Sequence, residues 1–374
     1  MTQQRIAYFY PQIPPHSNAA FGAALAAEYP DHAFDVIVVR DVVKRKPLFL
    51  AANGVATLWH FGWFLLRRRG RVREAFWRTP YFSRRIGALL ADHMREGNYV
   101  CTVQIQSLFD CRQPGIPNFV YTDHTHLANV RYPSFDDRRL YPSWWVEMER
   151  STYAHAERVL VRSLNIETSL VEQYGIPAER VVVIGCGHNV SRQRDSRPER
   201  RYDQQRVLFV GSDWQRKGGP DLVEAFRRVS AHRPGATLTL VGGVPAVTAP
   251  NVVVHGMLSQ EALPPVYEAA DVFCVPTHLE PFGVAFLEAM HFGLPIIATR
   301  VGALPDFIDD GWNGLLVEPG DIDALADALA RLLDNPDTCR QWGDRNRERV
   351  TERYNWRATA RNARTAIDAS LAGS

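Results

Sequence analysis

The chain has 374 residues, 46% hydrophobic and 22% charged, with a formal net charge of +2. That length allows two domains with separate cores, and that composition excludes a disordered or fibrous chain. The near balance of charge gives no ground for a nucleic-acid partner, and five cysteines without CxxC spacing argue against a disulfide framework or zinc site and for a reducing compartment.

The first residues, MTQQRIAYFYPQ, lack the basic, apolar and small-residue succession of a signal peptide, so a cytoplasmic location is expected. RIAYFY, FDVIVV, VCTVQI, NFVYT, RVLVRS and VVVIG read as a first set of strands alternating with helix-length segments. Between the second and third lies the longest apolar stretch, LFLAANGVATLWHFGWFLL at 48–66, followed by RRRGRVR at 67–73. Its length nearly suffices to span a bilayer, but Asn53, Gly54, Thr57 and His60 interrupt it. Two readings stand. One is a buried helix of an α/β domain. The other is a helix, over 55–73, lying on an anionic membrane surface, with Trp59, Trp63 and Phe64 as anchors and Arg67, Arg68, Arg69, Arg71 and Arg73 toward headgroups. Further on, YPSWWVEMER sets Trp144 beside Trp145. Core packing for both is favoured, with one free to line an acceptor or membrane site.

The polar, unpatterned stretch 189–205, with Pro198, reads as a linker or surface excursion. RVLFVG, TLTLVGG, NVVVHG, DVFCVPT, PIIATR and GLLVEP follow as a second set of strands, mostly continuous apolar runs suited to a parallel sheet covered on both faces. The expectation is an α/β chain of two doubly wound, Rossmann-like domains facing a cleft. The first covers 1–190 and the second 191–355, with a C-terminal helix of about 356–374 packing back on the first.

Two stretches of the second domain carry chemistry. In HLEPFGVAFLEAM, Pro281 keeps Glu280 on a loop, and a helix is expected from Phe282–Gly283 to Gly293, with Glu288 inside it. The helix start offers unpaired N–H groups, and carboxylates accept hydrogen bonds from sugar or ribose hydroxyls. A capped helix with solvated glutamates is the alternative. In VGSDWQRKGGPDLVEAF, Arg216 and Lys217 sit between a strand ending at Gly211 and a helix after Gly218–Gly219, suited to clamp a pyrophosphate; a solvated basic loop is the alternative.

Glu280 and Glu288, with seven residues between them, together with RKGG, YEAADVFCVPT, EAMHFGLPIIATRVGALPDFIDDGWNGLLVEPGD and ERYNWRATARNAR, resemble the E-x7-E signature region of family 4 retaining glycosyltransferases of the GT-B fold. The resemblance covers essentially all of 206–360. It implies a metal-independent, hexosyltransferase-type enzyme of glycan biosynthesis that uses a nucleoside-diphosphate sugar as donor substrate and needs no cofactor. It implies that Glu280 contacts the transferred sugar, that backbone N–H groups of Phe282, Gly283 and Val284 meet sugar and phosphate, and that Glu288 holds the ribose. Arg216 and Lys217 would neutralise the leaving diphosphate beside Gly211. Where the family commonly has Gly-Arg after this strand, the chain has Gly211-Ser212, so Arg216 must supply the guanidinium.

The N-terminal half resembles the family less. IPPHSNAAFGAAL replaces the usual glycine pair, whereas NFVYTDHTHLANVRYP resembles the family's strand and histidine turn, with His124 best matched to touch sugar or acceptor. A hydrogen-bonded surface pair is the alternative for His124 and His126, and zinc at Asp123, His124 and His126 lacks a further ligand cluster. The acceptor is a hydroxyl, lipid-linked, soluble or on a growing glycan. If lipid-linked, it puts the enzyme on the inner membrane face. A nucleotide-sugar 2-epimerase and a non-catalytic membrane-surface protein remain as rival readings. A dinucleotide oxidoreductase is disfavoured, since RIAYFYPQIPP lacks GxGxxG.

Overall fold

A computed structural model describes residues 3–12, 16–67, 72–190, 201–245 and 247–373. The chain divides into two compact units: Met1–Arg131 with Phe135–Gly185 and Thr359–Ser374, and Tyr132–Ser134 with Cys186–Ala358.

The first unit is built on β1 (Arg5–Tyr10), β2 (Ala33–Val38), β3 (Tyr99–Ile105), β4 (Asn118–Thr122), β5 (Arg158–Val161) and β6 (Val181–Val183), in the parallel order β2-β1-β3-β4-β5-β6. The second uses β7 (Arg206–Gly211), β8 (Thr237–Gly242), β9 (Val252–Val254), β10 (Val272–Val275), β11 (Ile296–Thr299) and β12 (Gly314–Val317), in the parallel order β12-β11-β10-β7-β8-β9. Every residue of β4, β10 and β11 is buried, as parallel strands covered on both faces require. These are the two Rossmann-like sheets expected from the alternating pattern. In the second sheet strand order reverses between β7 and β10, which opens a crevice at their carboxyl ends.

The C-terminal helix, Trp356–Leu371, joins the first unit from Thr359 onward. There Tyr29 donates to Asp368 (2.8 Å), and Arg158 donates to Ser370 Oγ (3.1 Å). Residues 191–200 of the expected linker lie outside the described residues. The rest of it is no plain excursion: Tyr202 is buried and donates to the Gly293 carbonyl (2.6 Å), so the second unit's core reaches into it.

The apolar stretch forms a helix, Pro47–Leu66, whose buried residues are Phe49, Asn53, Thr57 and Phe61. The buried-helix expectation therefore holds for one stripe only. Asn53 is central to that stripe. It donates to the Phe76 carbonyl (2.7 Å) and accepts from Thr79, whose Oγ1 also caps the Pro80–Met94 helix by accepting from Phe82 N (3.0 Å). Of the arginines that follow, Arg68, Arg69 and Arg71 lie outside the described residues. Trp145 is buried, and Trp144 is half-buried against Phe61 (ring centroids 5.3 Å), with part of its surface left in solvent.

Removing a buried partner leaves polar groups unsatisfied. Asn53→Ala is expected to cost roughly 1–3 kcal/mol, read as an earlier urea unfolding transition by tryptophan fluorescence. An unmoved transition would show that water replaces the lost hydrogen bonds.

Candidate functional site

The carboxyl ends of β7 and β10 carry the two loops singled out in the sequence, on either side of the reversal in strand order. They are stitched together. The His278 amide and the Thr277 hydroxyl donate to the Arg216 carbonyl (2.8 and 3.1 Å), and the Arg216 guanidinium donates to the Leu279 carbonyl (2.6 Å). At the centre the Lys217 ammonium forms an ion pair with the Glu280 carboxylate; the residues are only 8% and 6% exposed. Gly211 makes room for this, since a Cβ there would lie 3.0 Å from Lys217 Cγ. The solvated-loop and solvated-glutamate alternatives do not describe these two buried side chains.

The helix after Glu280 runs Val284–His291, shorter at both ends than expected. At its start the reason is Gly283, whose φ of +99° is left-handed and cannot continue a right-handed turn; at its end Gly293 is left-handed as well, at φ +75°. The first-turn N–H groups from Val284 onward precede any i−4 partner. The Phe282 side chain is buried against Phe307 (ring centroids 5.6 Å), so only its backbone is available to a ligand. Behind Glu280, Gly302 adopts φ +55°, and a Cβ there would come within 1.8 Å of the Glu280 carbonyl. Tyr132 donates to the same carbonyl (3.1 Å).

Glu288 belongs to a different set of contacts. Tyr267 donates to its carboxylate (2.9 Å), and the Asn189 backbone also hydrogen-bonds to it. Burial pushes its pKa up from the ordinary carboxylate range to about 7, and the two hydrogen bonds offset only part of that rise. Asn189, Tyr132, Gly302 and Asp221, which pairs with His278 (2.9 Å), carry no local sequence signal. Tyr267 stands in the quoted YEAAD run, but nothing in that run says where its hydroxyl points.

His124 belongs to the first unit. It is half-buried after β4, its pKa is lowered by burial against the opposing pull of Asp123, and its Nδ1 has no hydrogen-bond partner among the described residues. His126 is not part of a surface pair. Its Nε2 accepts from the Tyr141 amide (2.7 Å), and burial, with Arg78 nearby, lowers its pKa to about 3. Asp123 is engaged by Gln106 (2.6 Å) and Arg162 (3.5 Å). No group of three or more histidine, cysteine or acidic side chains suited to a metal occurs among the described residues.

Residues 204–335 match the family model of glycosyl transferases group 1, and residues 21–192 that of glycosyltransferase family 4. Both models describe glycosyltransferase domains, and between them they cover most of the chain. Among curated relatives, the MMP alpha-(1->4)-mannosyltransferase of Mycolicibacterium hassiacum is 28% identical over 277 residues, 66% of each chain. The D-inositol 3-phosphate glycosyltransferase of Acidothermus cellulolyticus is 32% identical over 248 residues, 59% of this chain and 55% of that protein. The chain thus spans less than two thirds of the length of these relatives. Among solved structures, sucrose-phosphate synthase from Thermosynechococcus elongatus superposes with a TM-score of 0.70 at 20% identity, covering 99% of this chain and 100% of that one, which establishes likeness of fold.

The raised pKa of Glu288 fixes a pH dependence. Between pH 4.5 and about 7 the native state keeps a proton that the unfolded chain has lost, so its stability falls as pH rises through that window. Glutamine cannot ionise. Glu288→Gln should therefore gain roughly 3 kcal/mol over the parent between about pH 4 and pH 8. Urea unfolding at both pH values measures this, and a pH-independent difference would mean that the carboxyl is not raised.

Proposed function

We propose that the chain is a retaining, hexosyltransferase-type enzyme that moves a sugar from a nucleoside-diphosphate sugar to a hydroxyl acceptor without a metal. The observation that carries this reading is the Lys217–Glu280 pair, with Arg216 beside it, at the strand-order reversal of the second sheet. The mannosyltransferase and D-inositol 3-phosphate glycosyltransferase among its relatives support sugar transfer.

In this reading the diphosphate lies against Lys217, Arg216 and the start of the Val284–His291 helix. An ammonium has three donors, so Lys217 can keep Glu280 and still reach a phosphate oxygen. As the bond from the sugar's anomeric carbon to the diphosphate breaks, negative charge collects on the leaving oxygens. The two fixed cations and the N–H groups near Gly283 and Val284 stabilise it without reorganising. They supply the charge that a metal would otherwise bring. The acceptor hydroxyl attacks from the face the diphosphate leaves, and its proton passes to a leaving phosphate oxygen. Glu280 accepts from hydroxyls of the transferred sugar and is not a covalent nucleophile. Glu288, once ionised, accepts from the vicinal hydroxyls of the ribose. For His124 we keep the role that the family resemblance implies, contact with sugar or acceptor; burial lowers its pKa and so favours the neutral imidazole.

Lys217→Ala should remove roughly 3 kcal/mol of transition-state stabilisation, measured as kcat/KM on folded protein. Near-normal turnover would sink the diphosphate clamp. Activity should survive EDTA, and product NMR should show the donor's anomeric configuration; donor consumed with no acceptor present would instead mark an epimerase.

The two glutamates separate by calorimetry. Glu288→Ala should weaken a free nucleoside diphosphate, and more so above pH 7 than below it. Glu280→Ala should spare the free nucleotide and weaken only the intact donor. The reverse pattern would exchange their roles.

A further inference from the structure

The Pro47–Leu66 helix is turned the opposite way from an ordinary surface helix. Its buried stripe holds Asn53 and Thr57, both hydrogen-bonded inside the fold, with Thr57 donating to the Asn53 carbonyl (2.7 Å). At about 100° per residue, Leu48, Val55, Trp59 and Leu66 fall within roughly 40° of one another on the far side, flanked by Leu58 and Trp63. Leu48 is 86% exposed, Trp59 84% and Leu66 77%. Single exposed apolar residues are ordinary, but a continuous strip along a whole helix marks a contact surface.

We infer that this face seats the protein on an anionic lipid bilayer. The charges around it choose the occupant. Arg45 and Lys46 precede the helix and Arg67 follows it, all exposed; Lys44 beside them pairs with Asp41 (3.5 Å), and no acidic residue occurs from Lys44 to Arg67. Between this helix and Pro80–Met94 runs a groove of about 550 Å³, with Ala52, Ala56, Trp59 and Tyr81 on its walls and the exposed Arg84 and Arg85 lining it. Guanidinium groups there can pair with a lipid phosphate while the strip enters the acyl boundary. Apolar area and cations together are the two signals that lasting attachment needs. An apolar protein partner would account for the strip but not for the cations.

The helix lies on the bilayer and does not cross it. By length and composition alone it could span. But Phe49 is fixed in one apolar cluster with Phe82 and Ile86, and Phe61 in another with Ala75 and Trp145. A spanning helix would have to give up both. The inference goes beyond sugar transfer and does not depend on it.

The test is co-sedimentation of the full chain with vesicles of phosphatidylcholine containing about a third phosphatidylglycerol, against vesicles of phosphatidylcholine alone. The chain should bind the anionic vesicles at low salt and be released as salt screens the charges. Brominated lipid should quench its tryptophan fluorescence. Trp59→Ser/Trp63→Ser should lower partitioning at least about tenfold. Arg84→Glu/Arg85→Glu should remove roughly fivefold or more per position and weaken the preference for phosphatidylglycerol, the cations that flank the helix supplying what remains. Both variants alter exposed side chains only, so their melting and nucleoside-diphosphate binding should match the parent. A parent that ignores anionic vesicles at low salt overturns the proposal. So does a parent that self-associates in sedimentation velocity and becomes monomeric in Trp59→Ser/Trp63→Ser with vesicle binding unchanged, since the strip would then join two copies of the chain.

Discussion

A lysine and a glutamate, each almost out of water, must stay together. Burying either charge alone costs several kcal/mol, and pairing offsets most of it only when both are held in register. Lys217 and Glu280 meet that condition because the backbone around them is cross-tied: Arg216 offers its carbonyl to residues 277 and 278, and reaches back to the carbonyl of 279. The cross-ties in turn need β7 and β10 to be neighbours, which the reversal of strand order provides. Sheet topology, loop geometry and the paired charges therefore form one constraint. A shift in any of them would strand an ion in the interior.

Much of this was legible in the sequence. Continuous apolar runs such as DVFCVPT and PIIATR could be read as covered parallel strands because burial on both faces leaves them no polar positions. Glu280, Arg216 and Lys217 stood out because charged residues among glycines at strand ends have few structural uses. What escaped reading is long-range. Tyr132 lies 148 residues from the Glu280 carbonyl it supports, and Asn189 stands before the first strand of the second sheet, far along the chain from Glu288. Gly302 looked like any loop glycine; only the nearness of another backbone segment makes its missing side chain necessary. Gly283 shortened the expected helix for a related reason, since a left-handed glycine punctuates the chain and nothing in FGVAF distinguishes it from a helical one.

The Pro47–Leu66 helix was legible in length but not in facing. Hydrophobic periodicity locates a core face by contrast with polar positions, and here the polar positions are the ones inside. Asn53 and Thr57 are tolerated there because the backbone of Phe76 and the hydroxyl of Thr79 satisfy them. The same logic recurs beneath His126. Glu149 is buried among the hydroxyls of Ser107, Tyr153 and Tyr174, and burial raises its pKa. The first unit thus has an interior with more polar groups than its sequence pattern suggests.

The return of Thr359–Ser374 to the first unit bears on how the chain is made. Tyr29 finds its partner Asp368 only after 339 further residues have been synthesised. At ribosomal speeds that interval is on the order of tens of seconds. During it the N-terminal sheet must wait without its last helix, leaving uncovered the surface where Ala360, Ala363 and Ile367 will be buried. The second unit, whose segments are nearly contiguous, can close first. Synthesis from the N-terminus therefore cannot complete the first unit before the second, because the helix that closes the first is made after the second unit's segments.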